Sequence, residues 1–279
     1  MTSPVPNIQL NSGTTIPQLG FGVFRVTQEQ TQGVVEKALE VGFRHIDTAT
    51  GYDNEAQVGA AIRALGIDRK EIFVTTKLRN DHNAARDVEG AFNRSVEALG
   101  LDYVDLYLIH WPMPALGFAV DNWERFQDFK ASGLAKAIGV SNFRIEDLKA
   151  IIKATGVAPA VNQVETHPIF QQRELRAFHE AFDIKIEAWA PLGQGRFVFS
   201  SLEPVRIAAE KYGKSFAQII LRWHLQEGII PLPKSLTPSR IEENFNIFDF
   251  ELDDNEVALI NALDTNQRLA HNPSLVNHN

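Results

Sequence analysis

A single (β/α)8 TIM barrel with an N-terminal β-hairpin before it is the fold class this sequence predicts, and three observations carry that prediction. Short β-branched apolar runs alternate with amphipathic segments roughly a dozen residues long, the mark of consecutive βα units. Eight such pairs follow one another between residues 19 and 245, enough to close a parallel barrel. The runs are almost continuously apolar, as strands buried on both faces should be.

Each element has its own signal. Ile8, Leu10 and Ile16 flank Asn11-Ser12-Gly13, a hairpin pattern over residues 7–18. Strand one is expected at Leu19–Phe24, and helix one at Thr27–Val41, with Thr27 as N-cap and Gly42 as C-cap. Strand two follows at Phe43–Thr48, helix two at Asn54–Leu65 and strand three at Ile72–Leu78. Helix three is expected at Ala84–Leu99 and strand four at Val104–Trp111, before a proline-opened loop and helix four at Asp121–Ser132. Strand five is Ala135–Ser141, helix five Ile145–Thr155, strand six Ala160–Thr166, helix six Gln171–Phe182 and strand seven Lys185–Ala190. A glycine-bearing loop leads to helices at Glu203–Tyr212 and Phe216–Glu227. Strand eight is Ile229–Pro233, helix eight Ser239–Phe245, and a last helix spans Asp253–Leu263. No linker composition divides residues 1–279, so one domain is expected. The rival fold, an open doubly wound sheet, would want a Gly-rich turn after strand one, and Phe21-Gly22-Val23-Phe24-Arg25 has none.

Composition narrows the function. The net charge of −8 argues against a nonspecific grip on nucleic acid. The absence of cysteine excludes disulfide and thiolate chemistry. Met1-Thr2-Ser3-Pro4 shows no secretory signal and no apolar run is long enough to span a membrane, so a cytoplasmic protein is expected. Asn93-Arg94-Ser95 matches a glycosylation sequon, read as chance inside a predicted helix.

The informative residues stand at strand ends. Asp47 ends strand two, with Tyr52 five residues on; Lys77 closes strand three and His110 lies at the end of strand four. The carboxyl ends of barrel strands form the active-site face. Reducing a carbonyl needs a hydride at carbon and a proton at oxygen. A tyrosine can give that proton if a lysine cation stabilises its phenolate, an aspartate holds the lysine charged and a histidine positions the carbonyl.

Longer stretches resemble the aldo-keto reductase family. Gly42-Phe43-Arg44-His45-Ile46-Asp47-Thr48-Ala49 with Tyr52, Asn54 and Glu55 is similar to its strand-two signature. Leu106-Tyr107-Leu108-Ile109-His110-Trp111-Pro112, Ile138-Gly139-Val140-Ser141-Asn142-Phe143 and Pro233-Lys234-Ser235 resemble those of strands four, five and eight. Val161-Asn162-Gln163, His167-Pro168 and Pro191-Leu192-Gly193-Gln194-Gly195 look most like the bacterial 2,5-diketo-D-gluconate reductase group. The resemblance implies NADPH bound across the barrel mouth, a small carbonyl substrate and a monomer. It implies that Trp189 stacks on the nicotinamide and that Ser141, Asn142 and Gln163 hold its carboxamide. Gly22, Val23, Pro191, Leu192 and Gln194 would line the nucleotide, with Lys234, Ser235 and Arg240 at the 2′-phosphate and Glu243 and Asn244 at the adenine. Arg suits phosphate as a planar bidentate donor. Phe24, Arg79 and Trp111 would face the substrate, possible keto-sugar acids included.

Three places depart from the family pattern. Arg79 replaces the usual tryptophan two residues after the lysine; Thr50-Gly51 precedes Tyr52 where bulkier residues are common; and Thr237 stands where relatives often carry arginine. Two rival functions fit the sequence less well. A nucleotide-binding redox-sensing barrel with little turnover would not need all four strand-end groups. A metal-dependent hydrolase would need clustered His and carboxylate ligands, and no metal is expected from His45 and Asp47 alone.

Overall fold

The computed structural model describes residues 5–79 and 86–276. An antiparallel hairpin, β1 (Asn7–Gln9) and β2 (Thr15–Pro17), comes first. Its Leu10 and Ile16 are buried with Phe73, Leu106, Leu108, Val161 and Ile230, so the hairpin closes the amino-terminal end of the barrel. The barrel strands are β3 (Phe21–Gly22), β4 (His45–Asp47), β5 (Phe73–Leu78), β6 (Val104–Ile109), β7 (Ala135–Ser141), β8 (Val161–Glu165), β9 (Lys185–Trp189) and β10 (Ile230–Pro231). They pair in parallel and in sequence order. The helices outside are α1 (Gln28–Val41), α2 (Glu55–Ala64), α3 (Val88–Leu99), α4 (Ala119–Ser132), α5 (Ile145–Thr155), α6 (Arg173–Ala181), α7 (Glu203–Tyr212), α8 (Phe216–Gln226), α9 (Pro238–Phe245) and α10 (Asp254–Asn261).

Every expected element is present among the described residues, with ends that differ by a few positions. The start of the third expected helix, residues 84 and 85, lies outside them. The first and last barrel strands are the shortest, Phe21–Gly22 and Ile230–Pro231, and prolines explain it. The amides of Gly20 and Gly22 donate to the carbonyls of Pro231 and Pro233, both at 3.1 Å, and join the two ends of the sheet. Proline has no N–H to return, so this seam is laced in one direction only. Leu232, between them, turns its N–H to Ala188 at 3.0 Å on the other side. Gly20 is required here: a Cβ on it would stand 2.5 Å from Leu232 Cδ2 and 2.7 Å from His45 Nδ1.

The core between strands and helices is apolar and rich in stacked rings. Tyr107 on β6 lies 4.5 Å from Phe126 of α4, and Phe92 of α3 lies 4.4 Å from Phe129, both nearly parallel. Inside the barrel the side chains change character upward. Apolar residues fill the bottom, and polar groups crowd the carboxyl ends, because residues two apart on one strand share a face. His45 and Asp47, Thr75 and Lys77, and Glu187 and Trp189 are such pairs.

Candidate active site

The strand-end groups meet at the mouth. Lys77 is fully buried, and its ammonium donates to Asp47 Oδ1 at 2.8 Å, Oδ2 at 2.7 Å and the Thr48 carbonyl at 2.8 Å. Its Nζ also lies 3.5 Å from the Tyr52 hydroxyl and 5.1 Å from the Tyr52 ring centre. Tyr52 sits on a short 3-10 turn, Thr50–Tyr52, directly after β4. Its ring is wedged between Phe24, 5.0 Å away, and His110, 5.7 Å away. Asn54 is wholly buried and fixes that arrangement: it accepts from Thr48 Oγ1 at 2.9 Å and donates to the carbonyls of Val23 and Val26 at 3.1 and 3.2 Å. It thus clamps the loop carrying Phe24 to the turn carrying Tyr52.

The electrostatics differ in one respect from the sequence expectation. Lys77 does favour the Tyr52 phenolate, but burial outweighs it, and the Tyr52 pKa is raised rather than lowered at rest. Burial would also discharge Lys77, yet Asp47 and then Tyr52 oppose it and the lysine pKa rises. His110 is held neutral, its pKa pushed down to about 3 by burial and then by Lys77. Its Nδ1 is buried without a partner among the described residues. A buried N–H without an acceptor is rarer than a buried lone pair without a donor, so the ring proton belongs on Nε2.

The residues expected around the nucleotide fall on the same face. Asn142 adopts a left-handed conformation, φ 63°, after β7. Its amide donates to the His110 carbonyl at 3.0 Å and Ser141 Oγ at 3.1 Å, and accepts from Trp189 Nε1 at 2.9 Å. The half-buried indole of Trp189 is therefore fixed at the mouth. Ser141 Oγ donates to the Gln163 carbonyl at 2.9 Å. Gly22, Val23 and Pro191 are buried, Leu192 is half-buried and Gln194 is exposed. Lys234 and Arg240 are exposed beside the amino terminus of α9, and among the described residues neither is held in an ion pair. Ser235 accepts the Thr237 amide at 3.0 Å there. Asn244 is buried, and Glu243 accepts from Ser215 Oγ at 2.5 Å, which ties α9 to α8.

The departures have distinct fates. Arg79 is half-exposed and reaches Asp53 at 3.8 Å. With Leu78, Trp111, Met113, Leu116 and Phe118 it lines a small pocket flanking His110. Thr50 does not face the acid: its hydroxyl donates to the Lys77 carbonyl at 3.0 Å and pairs with Ser95 Oγ at 2.7 Å. Gly51 leaves open space, with nothing within 4 Å of where a Cβ would stand. Thr237 is the N-cap of α9. Among the described residues no three His, Asp or Glu side chains gather as a metal-holding group, and no helix is long and apolar enough to cross a membrane.

Sequence reasoning missed a second tier. Gln163 Nε2 donates to Asp47 Oδ2 at 2.9 Å and to Glu187 Oε2 at 2.8 Å. Two carboxyl acceptors fix the amide's orientation, so only Gln163 Oε1 is left to face a nucleotide. The Glu at the middle of an apolar strand, Ile186-Glu187-Ala188, was the available signal. Burial also holds His45, His179 and His224 neutral, with pKa values lowered to about 3, 3 and 4. Together with His110 they bind protons only on unfolding, so their stabilisation is complete above about pH 6.5 and is lost as pH falls below it. Each contributes a slope of up to about 1.4 kcal/mol per pH unit. Urea unfolding at pH 7, 6 and 5 should show steep acid destabilisation; a flat profile would mean that these rings are charged in the fold.

The family profile described as "Aldo/keto reductase family" matches residues 18–265. The chain belongs to the aldo/keto reductase family. Methylglyoxal reductase DkgA of Escherichia coli K12 is 46% identical over 267 residues, 95% of this chain and 96% of that protein. The crystal structure of an aldo/keto reductase from Brucella melitensis aligns at 50% identity and TM-score 0.89, covering 95% of this chain and all of the other. A variant of Gox0644 solved with NADPH aligns at 43% identity and TM-score 0.91 over 98% of each chain. These likenesses run through the barrel.

Proposed function

We propose that this aldo/keto reductase catalyses NADPH-dependent reduction of aldehydes and ketones to alcohols, with Tyr52 as the acid. The observation that carries this reading is the buried Asp47–Lys77 pair set against the Tyr52 hydroxyl at the barrel mouth. The residues fit a phosphorylated dinucleotide: a fixed, half-buried indole at Trp189, and unpaired Lys234 and Arg240 beside a helix amino terminus, where anions are favoured. Bound there, the dinucleotide supplies a hydride to the carbonyl carbon.

This chain's own groups do the rest. Tyr52 rests protonated, because burial disfavours its phenolate. As its proton passes to the carbonyl oxygen, negative charge grows 3.5 Å from the Lys77 ammonium. That attraction is realised only as the reaction proceeds, the kind of interaction that accelerates a step rather than merely tightening binding. Asp47 keeps Lys77 charged and immobile. His110, neutral with its proton on Nε2, donates to the carbonyl oxygen and orients it. Phe24, Trp111 and Arg79 wall the substrate side, and an arginine there favours carbonyl compounds bearing a carboxylate.

Loss of NADPH absorbance across small aldehydes, ketoaldehydes, neutral ketones and keto-sugar acids tests the reading. Turnover supports it, whereas tight nucleotide binding without turnover would point to a sensing barrel. Arg240→Ala should weaken NADPH roughly 10- to 100-fold, the loss of a hydrogen bond to a charged group, and leave NADH nearly unchanged. Quenching of tryptophan fluorescence measures both; equal losses would remove Arg240 from the phosphate site.

A further inference from the structure

The barrel interior beneath Lys77 contains two carboxyl groups and one cation. Asp47 takes both of its strong contacts from that cation. Glu187, on β9, is fully buried and shares only the Gln163 amide with Asp47. Its second oxygen, Oε1, finds no donor among the described residues. The polar atom facing it is His45 Nε2, 3.5 Å away, and that nitrogen also lies 3.1 Å from Thr75 Oγ1. From the packed strands, then, Glu187 faces Asp47 and His45 of β4, Lys77 and Thr75 of β5 and Gln163 of β8. On the seam side a Cβ on Gly20 would meet Leu232 and the His45 ring, so that ring is held from behind.

A carboxylate without a counter-ion in a dry interior is far more costly than the neutral acid. With its ring proton on Nδ1, toward the backbone of Pro17, a neutral His45 turns an Nε2 lone pair toward Oε1, which attracts an acid O–H and repels a carboxylate. We propose that Glu187 holds a proton at neutral pH, directed from Oε1 to His45, and that it is a positioning residue for Tyr52: releasing that proton to solvent adds a second negative charge under Asp47 and weakens Tyr52 as a proton donor. This rests on the reductase reading above. Burial and then Asp47 drive the Glu187 pKa up to about 8, and burial drives that of His45 down, in agreement with this placement. The acid form is therefore present below about pH 8 and lost above it.

Glu187→Gln copies the neutral acid, since its amide donates to His45 while its oxygen accepts from Gln163. Two measurements test the proposal. In infrared difference spectra at pH 7, the wild type should show the C=O stretch of a protonated carboxylic acid that Glu187→Gln lacks and that fades as pH passes about 8. In parallel, kcat for carbonyl reduction should fall roughly 3- to 10-fold through that range in the wild type. Glu187→Gln should keep a near-wild-type kcat at pH 7 and stay flat. No acid band assignable to Glu187, or the same alkaline fall in Glu187→Gln, overturns the proposal. If Glu187→Gln does not fold, His45→Gln should move the band and its midpoint, and an unmoved band overturns it equally. A wild type without turnover would defeat the reductase reading, while the infrared band would still decide where the proton lies.

Discussion

Tyr52→Phe should reduce kcat by about 10²- to 10⁴-fold, the range that a positioned general acid supplies, and leave NADPH affinity within about two-fold. Stability should scarcely change. The hydroxyl is the longest of the Lys77 contacts at 3.5 Å, and without it the ammonium keeps both Asp47 oxygens and the Thr48 carbonyl. The ring itself remains to pack on Phe24 and His110. Single-turnover rates with bound NADPH, set beside a fluorescence titration, separate chemistry from binding. A lost nucleotide site with an intact rate at saturation would mean that Tyr52 is a wall of the pocket and not its acid.

Lys77→Met should damage both rate and fold. It leaves Asp47 buried with the Gln163 amide as its only remaining side-chain donor among the described residues. Breaking one side of a buried ion pair costs about 3–5 kcal/mol, because the partner charge is left uncompensated, and at this chain length Tm should drop by roughly 10 °C. The loss should be partly repaired by adding Asp47→Asn, which removes the orphaned charge without restoring activity. That non-additivity is the signature of direct contact. Denaturant unfolding of the two single variants and the double provides the check. If the double variant is no more stable than Lys77→Met alone, the cost lies in lost packing rather than in the charge on Asp47.

Much of this could be read along the chain, and what could not has a common cause. Strand five, helix five and the helix at Glu203–Tyr212 were legible to the residue, because turn glycines and caps bound them. Asp47, Tyr52, Lys77 and His110 were legible because barrel topology brings successive strand ends to one face. Glu187, and the bonds by which Gln163 joins it to Asp47, were not. Gln163 lies 116 residues from Asp47 and 24 from Glu187, and only the curvature of the closed sheet brings the three together. The resting Tyr52 was misjudged for a related reason: a sequence shows a neighbouring cation but not the depth of burial that outweighs it. The clamp by Asn54 was hidden inside a motif, where it reads only as the first residue of helix two.

The one-way seam between β3 and β10 also bears on self-association. A barrel has no free strand edge while it is closed, and an opened sheet edge is a template for pairing with another chain. This barrel is laced in one direction only where Gly20 and Gly22 donate to Pro231 and Pro233. If it parts there, the β10 side presents two carbonyls and no N–H at those positions. An incoming strand could donate to it but receive nothing back, so the ladder that propagates aggregation cannot form on that edge. The prolines that shorten the last strand thus make the one-way boundary of the sheet the place where its opening is least hazardous in a crowded solution.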